Sequence, residues 1–136
     1  MSTVIALRPS PSQVTGRAAL SVTLAVSGVA HAYLYLHGYR YVPTVGTSFL
    51  IQGGAFVALA VLILFGGPRW LHWVAGLAAL ATLIGFAMSR TIGFLGFVEH
   101  GWEPPYGPLT VVAEALTVLI VAVPLVTQRR QTAPRG

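Results

Sequence analysis

"PLTVVAEALTVLIVAVPLV", Pro108 to Val126, is the stretch on which the reading of the fold turns. A helix needs about 20 apolar residues to cross the hydrocarbon core of a bilayer, and this run has that length. A soluble helix would carry a broad polar face at the helical period, and this run has none. Its polar side chains are Thr110, Glu114 and Thr117, spaced to share one narrow face. A carboxylate in such a run is costly unless it is paired or protonated, and it turns toward the interior of a bundle.

Three more runs of the same kind precede it: Ala18 to His37, Thr47 to Gly66 and Trp70 to Ser89. Backbone groups in lipid must be satisfied within the segment, so all four are read as helices. The expected fold class is all-α, an integral membrane four-helix bundle spanning 18–126. A Pro- and Ser-rich tail, 1–17, reads as flexible, and a basic tail, 127–136, follows the last span. Only Gly67 to Arg69 separate spans two and three, which predicts a tight hairpin. Gly53, Gly54 and Ala58 on one side and Ala75, Gly76 and Ala79 on the other are small enough for close packing.

Composition agrees. The chain has 136 residues, of which 55% are hydrophobic and 8% charged, and its mean hydropathy is +0.76. A soluble domain carries about 25% charged residues, so this chain could not cover a water-facing surface. The net charge of +5 comes from arginines at the ends of the apolar runs, without the aromatic-interleaved basic cluster of a nucleic-acid binder. Nucleic acid is therefore not an expected partner. The absence of cysteine excludes disulfides, thiolate metal sites and iron–sulfur clusters.

Arginine also sets the orientation. Arg8, Arg17, Arg69, Arg129, Arg130 and Arg135 lie on one side, against Arg40 and Arg90 on the other. The expectation is a multi-pass protein of the plasma (inner) membrane with both termini in the cytoplasm. Tyrosines and tryptophans at the span ends fit the two interfaces. A rival reading takes Arg8, Arg17 and Ala30-His31-Ala32 as a signal peptide with an A-x-A cleavage site, which would leave three helices.

Helix rise converts position into depth. At 1.5 Å per residue, His31 and Glu114 each lie roughly 9 Å, and Gln52 about 8 Å, below the outer span ends. One strong hydrogen-bonding side chain on each of three helices thus falls at one level. Arg90, at the outer end of span three, is long enough to reach down to it. Thr23, Ser27, His31 and Tyr35 follow one another at i, i+4 on span one. The expected site is a polar pocket or interhelical pairing of His31, Gln52, Arg90, Glu114 and Tyr35, with Arg90 as the first partner of Glu114 and His31 as the second. The inner halves of spans two and four are nearly pure Ala, Val, Leu and Ile, so that half of the bundle should be dry.

Above the layer runs Ser89 to Pro108, SRTIGFLGFVEHGWEPPYGP. It is read as an outer cap carrying Glu99, His100, Trp102 and Glu103, its two acids solvated. His37 and His100 are candidates for an outward metal or haem site, although no HxxxH-type spacing supports them. His31 and His72 lie roughly 20 Å apart in depth and cannot share an ion. Catalytic signatures are missing: there is no Ser–His–Asp order, phosphate loop or HExxH.

From Ser89 onward the chain resembles a group of small actinobacterial four-helix membrane proteins carrying S-R-T-x-G-L-P-G, then Trp, Gly and a Glu in the last helix. The matching residues are Ser89, Arg90, Thr91, Gly93, Gly96, Trp102, Gly107 and Glu114, with Leu95 standing where the pattern has Pro. The resemblance implies a plasma-membrane four-helix bundle without a settled activity, in which Arg90 and Glu114 occur together. The functional expectation is a non-catalytic accessory protein or subunit of a membrane complex, needing no cofactor. Its partners would be the lipid bilayer and a membrane protein or a second copy of the chain. The alternatives are a small-solute, quinone or proton binding or transport protein using the polar pocket, and an outward metal or haem binder.

Overall fold

The computed structural model describes residues 8–132. Among them it is all-helical: α1 Pro11–Leu36, α2 Val45–Leu64, α3 Trp70–Arg90 and α4 Tyr106–Thr132, with a one-turn 3₁₀ helix at Tyr39–Tyr41. All four long helices have the length and hydropathy to cross a membrane. Their outward faces carry Val22, Val29, Ile51, Leu62, Leu77 and Leu119, each more than half exposed. Apolar exposure of this extent on every helix is a surface for hydrocarbon rather than water. These are the properties of a multi-pass membrane protein.

Two boundaries differ from the expectation by more than two residues. α1 begins seven residues before Ala18, inside the segment read as a flexible tail. The Pro and Ser residues that prompted that reading are start signals. The Ser10 hydroxyl accepts from the Gln13 amide at 3.3 Å, the Gln13 side chain accepts from the Ser10 amide at 2.9 Å, and Pro11 occupies the first turn. This is a capping box with proline where its missing N–H costs nothing. α4 likewise continues past Val126, carrying Arg129 and Arg130 in its last turn, where they complement the helix dipole. Arg135 and the first seven residues lie outside the described residues.

The bundle has two ends. One holds the α2–α3 turn and the outermost turns of α1 and α4, and is here the terminal end. The other holds the α1–α2 connection and the α3–α4 segment, and is the cap end. The core of the terminal half is apolar, built from Leu20, Leu24, Phe56, Leu59, Ile63, Leu71, Ala75 and Ala79, with Ser21 buried on α1 in the same half.

Helix pairing departs from the expected hairpin. α2 packs chiefly on α1, and α3 on α4, while the backbones of α2 and α3 seldom approach closely despite their short connection and meet through core side chains. The small residues explain this. Gly28 and Gly53 face each other across α1 and α2, and a Cβ on either would come within 3.0 Å of the other's carbonyl. Gly76 faces Val121 of α4, while Gly54 faces open space. With little hydrophobic drive between helices in lipid, backbone approach at small residues decides which pairs pack closely. Here Gly53 turns to α1 and Gly76 to α4 rather than to each other.

Candidate binding site in the cap half

Glu114 is the centre of the site, with 1% of its surface exposed. α4 brings it in from its cap end, one turn below Thr110 and facing α1. Its Oε1 accepts from the Ser27 hydroxyl at 2.9 Å and from Gln52 Nε2 at 3.2 Å, and lies 3.7 Å from His31 Nε2. Residues from α1, α2 and α4 therefore converge on one carboxylate oxygen. Among the described residues Oε2 makes no hydrogen bond. Each contact lies inside helices long and apolar enough to cross a membrane, where an unpaired polar group would be costly.

The surroundings fix the chemistry of His31. Its Nδ1 lies 2.9 Å from the Ser27 carbonyl, the separation of an N–H donated one helical turn back along α1. That places the titrating lone pair on Nε2, the nitrogen facing Glu114. Phe49 and Phe56 stand edge-on to the imidazole, with ring centroids at 5.0 Å and 6.4 Å. One proton shared by His31 and Glu114 gives either two neutral groups or an ion pair, and both arrangements are neutral overall. A second proton, or none, would leave a net charge in a low-dielectric site, which is costly.

α3 adds Thr82, whose Oγ1 accepts from Gln52 Nε2 at 2.8 Å. Above this polar floor lies a cavity of about 270 Å³ that reaches His31, Gln52, Thr82 and Glu114. Phe49, Phe86, Phe94, Phe97 and Trp102 form its apolar walls. A small molecule's polar end would meet the floor, and its body would meet aromatic rings.

Arg90 is a correction to the sequence reading. It does not pair with Glu114. Its Nη1 donates to the Gly101 carbonyl at 2.6 Å, and its guanidinium lies 4.5 Å from the Trp102 ring centroid and 5.6 Å from that of Phe86. Planar guanidinium stacking and a backbone carbonyl satisfy the charge at the rim, without the cost of drawing it down into the bundle. His31, the second expected partner, is the one that faces Glu114. Tyr35 is half-buried on α1 and does not line the cavity.

The cap is tied together rather than solvated throughout. The Glu99 amide donates to the Ser89 carbonyl at 2.8 Å, and the Gly101 amide to Glu99 Oε1 at 2.8 Å. The Tyr39 hydroxyl donates to Glu99 Oε2, joining the α1–α2 connection to the cap. Burial, and then this bond, push the Tyr39 phenol above its ordinary value of 10.0. Glu99 is thus a structural acceptor, not the solvated charge expected. Glu103 and His100 are exposed, and Trp102 is half exposed while lining the cavity. At Leu95-Gly96 both residues have positive φ, 51° and 79°, and Phe94 and Phe97 exchange backbone hydrogen bonds across them. This is a two-residue turn of the primed type. Proline, with φ near −65°, could not take the Leu95 position.

His37 stacks on Tyr33 at 3.8 Å and its Nδ1 lies 2.8 Å from the Tyr33 carbonyl. Among the described residues no group of three or more His, Cys, Asp or Glu is placed to hold a metal ion. His72, at the terminal end, lies close enough to Arg17 and Arg69 to feel their charges, far from the cavity. Ser27 and Thr82 carry the site as much as the expected residues do. Ser27 was legible as the turn preceding His31. The helix rise that sets the level of His31 and Gln52 reaches Thr82 to Phe86 on α3, whereas Phe49, Phe94 and Phe97 had no periodic signal to mark them.

No family model matches the chain, and comparison with curated proteins and with solved structures finds no match. The fold and the site alone define the class: four apolar helices of membrane-spanning length enclosing a polar-floored cavity at one end.

Proposed function

We propose that the chain is a multi-pass plasma-membrane protein, both termini cytoplasmic, that binds a small molecule in the outward-facing cavity. The observation that carries this is the cavity of about 270 Å³ floored by Glu114, whose Oε1 is engaged by side chains from two other helices while, among the described residues, Oε2 has no hydrogen bond. A carboxylate that served only to hold helices together would be expected at a closed helix contact, not beneath a cavity with half its hydrogen-bonding capacity unused. The ligand class is a compact molecule with a carbonyl or hydroxyl end and an aromatic or apolar body. The arginine distribution supports the orientation, and the resemblance at Ser89 to Glu114 supports the same membrane. The accessory-subunit reading rests on exposed helix faces, which a bilayer covers equally well.

The test is quenching of tryptophan fluorescence in nanodiscs by a short-chain alkyl benzoquinone, with Trp102 as the reporter lining the cavity. Saturable quenching is expected, absent from Trp102→Phe and strongly weakened in the double variant Gln52→Leu, Glu114→Leu. Quenching that is non-saturable, or unchanged in the double variant, overturns the reading.

A further inference from the structure

We infer that the cavity is loaded sideways from the bilayer, through the seam between α2 and α3, so that its ligand is a lipid-dissolved molecule rather than a water-borne solute. This rests on reading the cavity as a ligand site, and it concerns the route by which that site is reached.

Four observations point to the route. First, α2 and α3 are neighbours in sequence whose backbones seldom approach closely, and the core they share lies toward the terminal end, so the line between them is least tightly packed toward the cap. Second, the cavity has walls on both sides of that line: Phe49 and Gln52 from α2, and Ala81, Thr82 and Gly85 from α3. Third, Ala81 both lines the cavity and is exposed on α3, as Trp102 and Glu103 are at the cap, so at this point of the seam the wall is one small side chain thick. Ala81 lies nine residues before Arg90, the last residue of α3. At 1.5 Å per residue this point is roughly 14 Å below the cap end, at the depth of hydrocarbon rather than of headgroups. The surfaces flanking it are apolar and exposed, including Leu77, Leu80 and Ile84 of α3 and Leu50 and Ile51 of α2. Fourth, Gln52 and Thr82 join across the seam in a part-buried hydrogen bond. A polar pair left part-exposed at that depth is unfavourable against lipid tails but suits the polar end of an arriving amphiphile.

The top of the cavity is built differently. Arg90 to Gly101, Gly101 to Glu99 and Tyr39 to Glu99 fasten the cap to α3 and to the α1–α2 connection. Opening that side requires several hydrogen bonds to break together. The seam has the single Gln52–Thr82 bond and otherwise side chains of Phe, Ala and Gly. Phe94, whose ring stands 3.8 Å from where a Cβ on Gly85 would lie, can swing without breaking a hydrogen bond.

The probe is a carbodiimide, which attacks carboxyl groups and leaves a stable N-acylurea. The chain offers three acids, so the adduct can be assigned by mass spectrometry. The full chain in lipid vesicles is treated with dicyclohexylcarbodiimide, which partitions into the bilayer, or with a charged water-soluble carbodiimide. Lipid-borne reagent is expected to modify Glu114, and the water-borne reagent Glu99 or Glu103 but not Glu114. Ala81→Trp, which fills the seam at that wall, should remove most of the Glu114 adduct. Gly85→Leu, which fills the same seam from one turn higher, should do likewise. Leu80→Trp, on the lipid face beside the cavity, should not. An unchanged titration of Tyr39, whose bond to Glu99 depends on the packed cap, shows that each variant is folded. Glu114 labelling by the water-borne reagent at the lipid-borne rate, or labelling untouched in both filled-seam variants, overturns the inference. Labelling reads access alone, so the route stands or falls apart from whether a benzoquinone binds.

Discussion

Glu114 accounts for most of what is unusual in this chain, because one buried carboxylate gathers Ser27, His31 and Gln52 from two other helices. Its depth was readable from helix rise, as were those of His31 and Gln52. Which partner it would take was not. Arg90 stands roughly 9 Å above it by helix rise, but a long side chain can rise or descend, and position along a helix does not say which. The cap residues Gly101 and Trp102 decide it by offering a carbonyl and a ring at the rim. The two groups therefore act separately. Arg90→Ala should shift Trp102 emission to longer wavelength while leaving Glu114's surroundings intact. Ser27→Ala should lower stability by about 0.6–2 kcal/mol, the range for one interhelical polar contact in a membrane. Their combination should be additive by unfolding in detergent, since they share no partner. Strong coupling between them would restore the discarded Arg90–Glu114 pairing.

At the scale of elements, the four apolar runs were legible because hydrocarbon tolerates nothing else of that length. Which helices pack closely was not, since that depends on how each helix is rotated. Gly53 and Gly54 are adjacent, yet only Gly53 meets a neighbouring backbone. Gly53→Leu should destabilise the protein by about 1–3 kcal/mol through overpacking, while Gly54→Leu should leave it nearly unchanged. Thermal unfolding in detergent distinguishes the two, and equal effects would place the α1–α2 contact elsewhere. The Tyr39–Glu99 bond was equally hidden, joining loops 60 residues apart with no periodicity to announce it. Folding raises the Tyr39 value, so its contribution is whole below the ordinary 10.0 and is lost as pH rises through the higher folded value. Absorbance titration should show one of the five tyrosines ionising well above that ordinary value. The late component should vanish in Glu99→Gln and Tyr39→Phe, and its persistence in both would remove the bond from the account.

For the molecule as a whole, two halves with different tasks emerge. The terminal half has an apolar core of Leu, Ile, Phe and Ala. The cap half trades that packing for a polar floor, a cavity and a loop laid over them. The absence of cysteine makes orientation directly testable with single introduced cysteines. Val98→Cys, in the cap, should react with an impermeant maleimide from outside intact cells, and Gln128→Cys should react only after the membrane is opened. The reverse pattern would invert the proposed topology and turn the cavity toward the cytoplasm. The central claim is that Glu114 is the group a ligand meets. Infrared difference spectroscopy of the reconstituted chain, with and without a short-chain alkyl benzoquinone, tests it most directly. The account predicts a carboxyl band that shifts on addition and is missing from Glu114→Gln, whereas a difference spectrum identical in wild type and Glu114→Gln would contradict it.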